Sequence, residues 1–458
     1  MVNEARVGIV GSGIGGAAAA WYLQNMTVGT ALEGRVRSVV FESLNRVGGR
    51  LYAMEMGGNR LNVGGDAWAQ VNWYVRELAA AVELPLETSF YGGNDLFGLY
   101  EGDGRWVANA TRLLESASSD WGMIQALAQT ELALSKNYKS RGMQPFDNIG
   151  AFLQYGSLDE FTTQETQRFL SDKGVAQPFV DTLIGPLCQV IYDQTPSMQA
   201  FAGMVSVLSV TSTPYSALDG NDNLPRTLLQ QAPSTSLLLS TTVLSLGLSP
   251  NASSSPLMNN SSPIYLVTIV DNNSGVVETL EFDAVIIAAP LEWSAIKLQP
   301  NLQVPQWSPR KWVRWVVTLV EAQGLQPAYF GRDPVPDQII CSLNSSAPFV
   351  KVSAVALSNR TTPDGPVYKI YSLFSEEAIS PAVLDQMFAR RVDTLQYSWP
   401  FTFPVLDVIT DPSSPSSYQP LILHDRLFSN NAMESVASAM EGSVISARNS
   451  VLSLLSTF

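Results

Sequence analysis

From Arg6 to Val10 the chain reads as an apolar strand, with every position after Arg6 uncharged and apolar up to Gly11, and residues 17–23 are small and apolar almost throughout. That pattern predicts a buried strand feeding a close-packed helix. A second apolar strand is predicted over 38–41, ending at Glu42. Over 111–135, 161–173 and 179–192 apolar positions recur at intervals of three and four, which predicts a helical cap. Past Asp219-Gly220-Asn221 the period drops to two. Residues 241–248, 264–270 and 276–282 alternate as strands, the last two joined by a turn at 271–275. They lead into 282–290, a run read as one continuous strand buried on both faces of a parallel sheet. Further strands are predicted over 312–320, 350–357 and 367–374, and a helix opens near Ala437 and continues through Leu455. Residues 249–263, dense in Ser, Asn and Pro, read as a solvated loop.

Together these elements predict an α/β protein in which the chain leaves a Rossmann-like nucleotide domain and returns to it twice. The nucleotide domain is expected from 1–90, 218–295 and 420–458; a mixed α+β substrate domain with a helical cap is expected from 91–217 and 296–419. A length of 458 residues exceeds the usual size of a single core, in keeping with two domains. A hydrophobic content of 46% against 15% charged residues excludes a disordered chain. The net charge of −14 argues against nucleic acid and anionic membrane surfaces as partners. No apolar run reaches the length of a membrane span.

Two further counts narrow the chemistry. Cys188 and Cys341 are the only cysteines, too few for a disulfide framework or a metal site; free thiols and a single bridge both remain open. His424 is the only histidine, so a histidine metal cluster is excluded, as is a Ser-His-Asp triad or Cys-His dyad anywhere else in the chain, and no metal is expected. The reaction must therefore be carried by a cofactor. Asn-x-Ser/Thr sequons at Asn25, Asn109, Asn251, Asn259, Asn260, Asn272, Asn344 and Asn359 lead to the expectation of an N-glycosylated secretory-pathway protein, extracellular or lysosomal/vacuolar, whose leader is no part of this chain.

The cofactor is named by two motifs that need each other. In Gly11-Ser12-Gly13-Ile14-Gly15-Gly16, Gly11 makes the tight turn, Gly13 admits a pyrophosphate and Gly16 lets helix and strand pack closely. The helix N-terminus then faces two phosphates. Glu42, at the tip of the second strand, is placed to accept from ribose hydroxyls. The added run Arg46-Val47-Gly48-Gly49-Arg50 offers more backbone N–H groups and two guanidinium forks to a longer dinucleotide, the pattern of FAD proteins of the amine oxidase and glutathione reductase type.

These motifs, with Val63-Gly64-Gly65, the block Gln199-Ala200-Phe201-Ala202-Gly203, the pair Gly220-Asn221 and Ala437-Ser438-Ala439-Met440-Glu441, resemble the prenylcysteine oxidase family over nearly the whole chain. The resemblance implies an FAD-dependent oxidase that cleaves the thioether of farnesyl- or geranylgeranyl-cysteine, with O2 as acceptor and prenyl aldehyde, cysteine and hydrogen peroxide as products. It adds Gly64, Gly65, Val243, Ala289, Glu434, Ala439 and Met440 to the cofactor contacts, and Trp68, Ala69, Gln189, Tyr192 and Tyr215 to the substrate pocket. Where the family carries Ser-x-x-His after the double glycine, this chain has Asp66-Ala67-Trp68-Ala69. That departure keeps two other readings open, an oxidase or desaturase of another isoprenoid and a non-catalytic lipid carrier. Hydride loss from an allylic carbon beside sulfur needs no strong base, because the sulfur lone pair carries the positive charge. Alcohol oxidation does want one, and His424 and Asp66 are the two candidates.

Overall fold

The computed structural model describes residues 4–88, 97–107, 122, 126, 129–130, 144–211, 213–250, 263–360, 365, 367–412, 414 and 417–458. Most of the helix expected over 111–135 and of the loop expected over 249–263 lies outside them, as do Asn109, Asn251, Asn259 and Asn260.

The nucleotide domain is built on a six-stranded sheet in the order Thr235–Leu238, Val36–Phe41, Ala5–Val10, Ala284–Ile287, Leu427–Ser429, Ile422–His424. The first five strands are parallel and the last is antiparallel. Both faces are covered, which is why these strands are apolar at successive positions. Val7, Ile9, Ala284 and Ile286 face the helices Ile14–Thr27 and Met440–Leu455. Val10, Phe41, Val285 and Ile287 face the antiparallel meander Thr241–Leu248, Tyr265–Asp271, Val277–Phe282. Ala17 to Ala20 are fully buried, so the small side chains of the first helix set how closely it lies on the sheet.

The continuous strand expected over 282–290 is in fact divided. Phe282 ends the meander, Ala284–Ile287 enters the parallel sheet, and between them the Asp283 carboxylate accepts the Arg6 backbone N–H at 2.8 Å. A side chain that takes up a backbone donor lets the chain change sheets without leaving that donor buried and unmet.

The substrate domain carries a seven-stranded sheet in the order Asp393–Pro404, Trp312–Ala322, Lys369–Ser375, Lys351–Leu357, Gln338–Cys341, Gly98–Gly102, Arg105–Trp106. One face packs on the helix Pro381–Met387. The other turns toward the nucleotide domain and the helix Gly185–Tyr192. The helix expected over 179–192 is broken into Gln177–Phe179, a π-helical turn Val180–Ile184 and Gly185–Tyr192. Pro186 accounts for the break, since it has no N–H to give Thr182 and its ring crowds that carbonyl. The helix Ala200–Thr211 was not expected, because its residues are apolar nearly all round and show no stripe.

Candidate active site

At the carboxyl ends of the parallel strands, where doubly wound folds place their ligands, the glycines have separate structural reasons. Gly11 adopts φ +101° while its N–H donates to Phe41 O at 2.7 Å. A Cβ on Gly16 would stand 1.9 Å from Gly11 O, so strand and helix meet there only through glycine. Gly13 and Gly15 differ: the nearest atoms to an added Cβ are 3.6 and 3.7 Å away, ordinary contact. Packing within the fold does not by itself demand glycine at either position. No side chain caps the helix that begins at Ile14, which leaves its first-turn N–H groups for an anion. The second motif folds back on the first, with Gly48 N donating to Ser12 O at 3.1 Å and an added Cβ on Gly49 3.2 Å from Gly13 Cα.

Glu42 is buried and pinned by Ser12, which donates from N at 2.9 Å and from Oγ at 2.7 Å, and by Leu44 N at 2.9 Å. Sequence reading passed over Ser12; its position between two motif glycines was the available signal. Val243 packs with Val10 and Phe41 beside this carboxylate, and Thr241 N donates to Glu42 O at 2.7 Å. Ala289 lies against the Gly11 turn, its N 3.6 Å from the position of an added Cβ there. Arg46 lies over the Tyr52 ring at 4.0 Å and gives Nη1 to Gly49 O at 3.0 Å. Its Nη2 is buried with no hydrogen-bond partner. A buried guanidinium nitrogen left unmet at a cleft fits an absent acceptor such as a phosphate.

Arg50 is engaged within the protein: Nη1 donates to Thr402 O at 2.8 Å and to Glu434 Oε2 at 3.0 Å, and Nη2 donates to Glu434 Oε1. Glu434 also accepts from Asn431 Nδ2 at 2.8 Å and Ser438 Oγ at 3.2 Å. Burial alone would raise the Glu434 carboxyl, yet the Arg50 guanidinium outweighs it and holds the group below the usual carboxylate range. This pair ties the Arg46-to-Arg50 turn to the segment entering the last helix. That helix starts at Met440 with Ala439 as its N-cap and no capping side chain, so a second set of N–H groups is open at the site.

Gly64 and Gly65 form the next wall. An added Cβ on Gly64 would meet Arg50 O at 2.0 Å, and Gly65 N donates to Arg50 O at 3.0 Å. The loop is held by Asn221, a fully buried residue that the sequence marked only as half of the Gly220-Asn221 pair. Its Nδ2 donates to Gly65 O and Asp66 O at 2.8 Å each, its Oδ1 accepts from Ala217 N at 2.8 Å, and its N donates to Asn62 Oδ1 at 2.9 Å. From the substrate sheet, Trp399 Nε1 donates to Val63 O at 2.5 Å, and Lys351 Nζ stands 3.8 Å from Asp66 Oδ2.

The pocket residues fall into two groups. Trp68 pairs with Tyr215 and Ala69 with Pro214 across a small sheet directly after the glycine loop. Gln189 and Tyr192 lie on the helix Gly185–Tyr192, with Tyr192 edge-on to Phe403 at 5.4 Å. Trp68 Nε1 and Gln189 Oε1 are buried without hydrogen-bond partners.

His424 is corrected outright. It pairs with Leu427, the first residue of its strand, and so lies at the amino end of the sheet, opposite the glycine turns. Its Nδ1 is 2.7 Å from Tyr265 Oη in the meander, and that arrangement binds two sheets together rather than serving a reaction. Cys188 and Cys341 are both free and buried, their thiols pushed up to about 12 by burial, so the bridge is not formed. No group of metal-ligating side chains occurs among the described residues, and none of the described helices is long and apolar enough to cross a membrane.

An open helix N-terminus over Gly13, an unmet Arg46 nitrogen, a pinned Glu42 and a second open helix N-terminus at Met440 fit FAD, with its pyrophosphate, ribose and ring system along one cleft. Comparison with known proteins agrees. Residues 9–82 match the NAD(P)-binding Rossmann-like domain, and residues 134–457 match the prenylcysteine lyase family. Farnesylcysteine lyase of Arabidopsis thaliana is 25% identical, over 100% of this chain and 89% of its own length. Human prenylcysteine oxidase 1 is 24% identical over 98% and 88%. Among solved structures, cyclohexylamine oxidase from Brevibacterium oxydans superposes with a TM-score of 0.60 at 15% identity, over 99% of both chains. A putrescine oxidase bound to putrescine gives 0.60 at 14% identity over the same shares. The amine oxidases share the fold, and the family-model match is more particular: this chain belongs to the prenylcysteine lyase family.

Proposed function

We propose that this protein is an FAD-dependent oxidase that cleaves the thioether of a prenylated cysteine, turning farnesyl- or geranylgeranyl-cysteine, O2 and water into prenyl aldehyde, cysteine and hydrogen peroxide. The observation that carries the reading is the end-to-end similarity to a farnesylcysteine lyase, combined with the dinucleotide-binding arrangement at the carboxyl ends of the parallel strands. Bound FAD supplies a two-electron acceptor for hydride from the allylic carbon next to sulfur. Gly13 and Arg46 would hold the pyrophosphate, Glu42 the ribose, and the N–H groups at Met440 would favour negative charge on the ring. Gly64 and Gly65 keep side chains away from the ring face where the substrate carbon must sit. The absence of histidine from the site suits a substrate that needs no strong base.

The replacement of the family phrase by Asp66-Ala67-Trp68-Ala69 favours one second reading, oxidation of another isoprenoid in the same pocket. Exposed sequon asparagines at Asn25, Asn272, Asn344 and Asn359 support a glycosylated secretory-pathway protein. Anaerobic titration of the flavin absorbance separates the chemical readings. Bleaching by farnesylcysteine alone supports thioether cleavage; bleaching by farnesol or a farnesyl amine moves the activity to another isoprenoid, and bleaching by none leaves a lipid carrier.

A further inference from the structure

Among the described residues, a line of side chains runs from the cofactor cleft into the substrate sheet. It starts at Arg46, which gives Nη1 to Gly49 O at 3.0 Å, keeps Nη2 buried with no hydrogen-bond partner, and has no carboxylate within ion-pair distance. Behind the guanidinium lies the Tyr52 ring, its centroid 4.0 Å from Arg46 Cζ. Tyr52 belongs to the nucleotide domain, yet its ring meets one from the other domain, that of Tyr397, at 5.2 Å between centroids. Tyr397 and Trp399 point to one face of the edge strand Asp393–Pro404, with their centroids 4.7 Å apart, and Trp399 Nε1 donates to Val63 O. Val63 N donates to Tyr52 O at 2.8 Å, so the line returns to its start.

Domain packing accounts for the three rings, which share an apolar cluster with Val63 and Val317. It does not account for a cation laid against the outermost of them. Burying a guanidinium nitrogen without a partner costs free energy, and a ring face offsets part of that cost only while the cation stays over it.

We infer that Tyr52 is a positioning residue for the cofactor, and Tyr397 a second one acting through it: the two rings hold Arg46 so that Nη2 is presented to the pyrophosphate, and the substrate domain thereby adds to flavin affinity through a residue of the nucleotide domain. The inference rests on the placing of Arg46 at the pyrophosphate given above and adds what keeps it there. Two observations favour it. Gly49, which takes Nη1, packs on Gly13, an added Cβ standing 3.2 Å from Gly13 Cα, so the uncommitted nitrogen lies beside the turn that faces the phosphates. A free arginine side chain also has many rotamers to lose on gripping a ligand, whereas one already held by a ring and a carbonyl has few.

The test is a double-mutant cycle on FAD affinity, read by flavin fluorescence as FAD is titrated into the full chain stripped of flavin. Arg46→Met is expected to weaken binding roughly 10- to 100-fold, the range of one charged hydrogen bond. Tyr52→Leu should weaken it roughly 3- to 30-fold and Tyr397→Leu roughly 2- to 10-fold, the ranges of a cation–π contact and an aromatic pair. Tyr52→Phe keeps the ring face and should stay within about twofold of wild type. In the Arg46→Met background both leucine changes should cost less than about twofold, because the group they position is gone. Rings that only pack the domains would cost the same with or without Arg46. Because Tyr52→Leu risks misfolding, Tyr397→Leu, half-buried on the edge strand, decides the matter by the same cycle. Leucine variants that bind FAD like wild type, or that lose as much affinity in the Arg46→Met background as outside it, overturn the inference and leave the cofactor site standing. Unchanged affinity in Arg46→Met contradicts the placing of Arg46 at the pyrophosphate, and the inference falls with it.

Discussion

Replacing Asn221 tests how the loop that forms the flavin wall is held. Asn221→Ala removes three side-chain hydrogen bonds and leaves Gly65 O, Asp66 O and Ala217 N without that partner around a fully buried position. At about 1 kcal/mol for each such bond, the expected loss is about 3 kcal/mol. Asn221→Asp has the same shape but turns the donating Nδ2 into an acceptor facing two carbonyls, so it should cost more than alanine. The readout is urea unfolding of the holoprotein, followed by tryptophan fluorescence and by flavin release, with apoprotein titration giving FAD affinity. Loss of stability together with weakened flavin affinity in the order Asp, Ala, wild type is the predicted result. A change under about 0.5 kcal/mol in Asn221→Ala, the range of an ordinary surface substitution, would refute the claim that this side chain holds the loop.

Three further outcomes are expected. Gly16→Ala places a methyl 1.9 Å from Gly11 O and should yield flavin-free protein whose far-ultraviolet circular dichroism still reports the fold; yellow protein with normal affinity would contradict it. Glu434 has a carboxyl held low by Arg50, so its stabilising contribution is fully present above about pH 4.3 and is lost as pH falls through the lowered folded value. Denaturant unfolding of wild type should therefore lose more stability on acidification than that of Glu434→Gln, and parallel pH curves would count against the pairing. His424→Gln should lower stability by about 1 kcal/mol through the lost Tyr265 contact, with kcat/KM unchanged within about twofold; a large fall in rate would return His424 to the reaction.

The nucleotide-binding half was the legible part of the sequence, for a physical reason. Gly11, Gly16 and Glu42 act through backbone geometry and a strand tip within about thirty residues, so local spacing carries the information. The first two strands of the meander were legible too, since period-two alternation marks strands with one face buried. What was not legible depends on residues far apart in the chain. Arg50 finds Glu434 across 384 positions, and Asn221 finds Gly65 across 156. No local pattern separates an arginine bound for phosphate from one bound for a buried carboxylate. His424 drew attention by being unique, yet its position on the sheet removes it from the site. Ala200–Thr211 was lost to periodicity because a helix buried all round has no polar face.

The central claim, oxidative cleavage of a prenyl thioether, is tested most directly by its stoichiometry. Farnesal, free cysteine and hydrogen peroxide should be measured together against O2 consumed, with the FAD-loaded protein and S-farnesylcysteine. Equimolar formation of all three per O2 is predicted, with none formed from farnesol. Release of cysteine without peroxide, or peroxide without cysteine, would contradict the account.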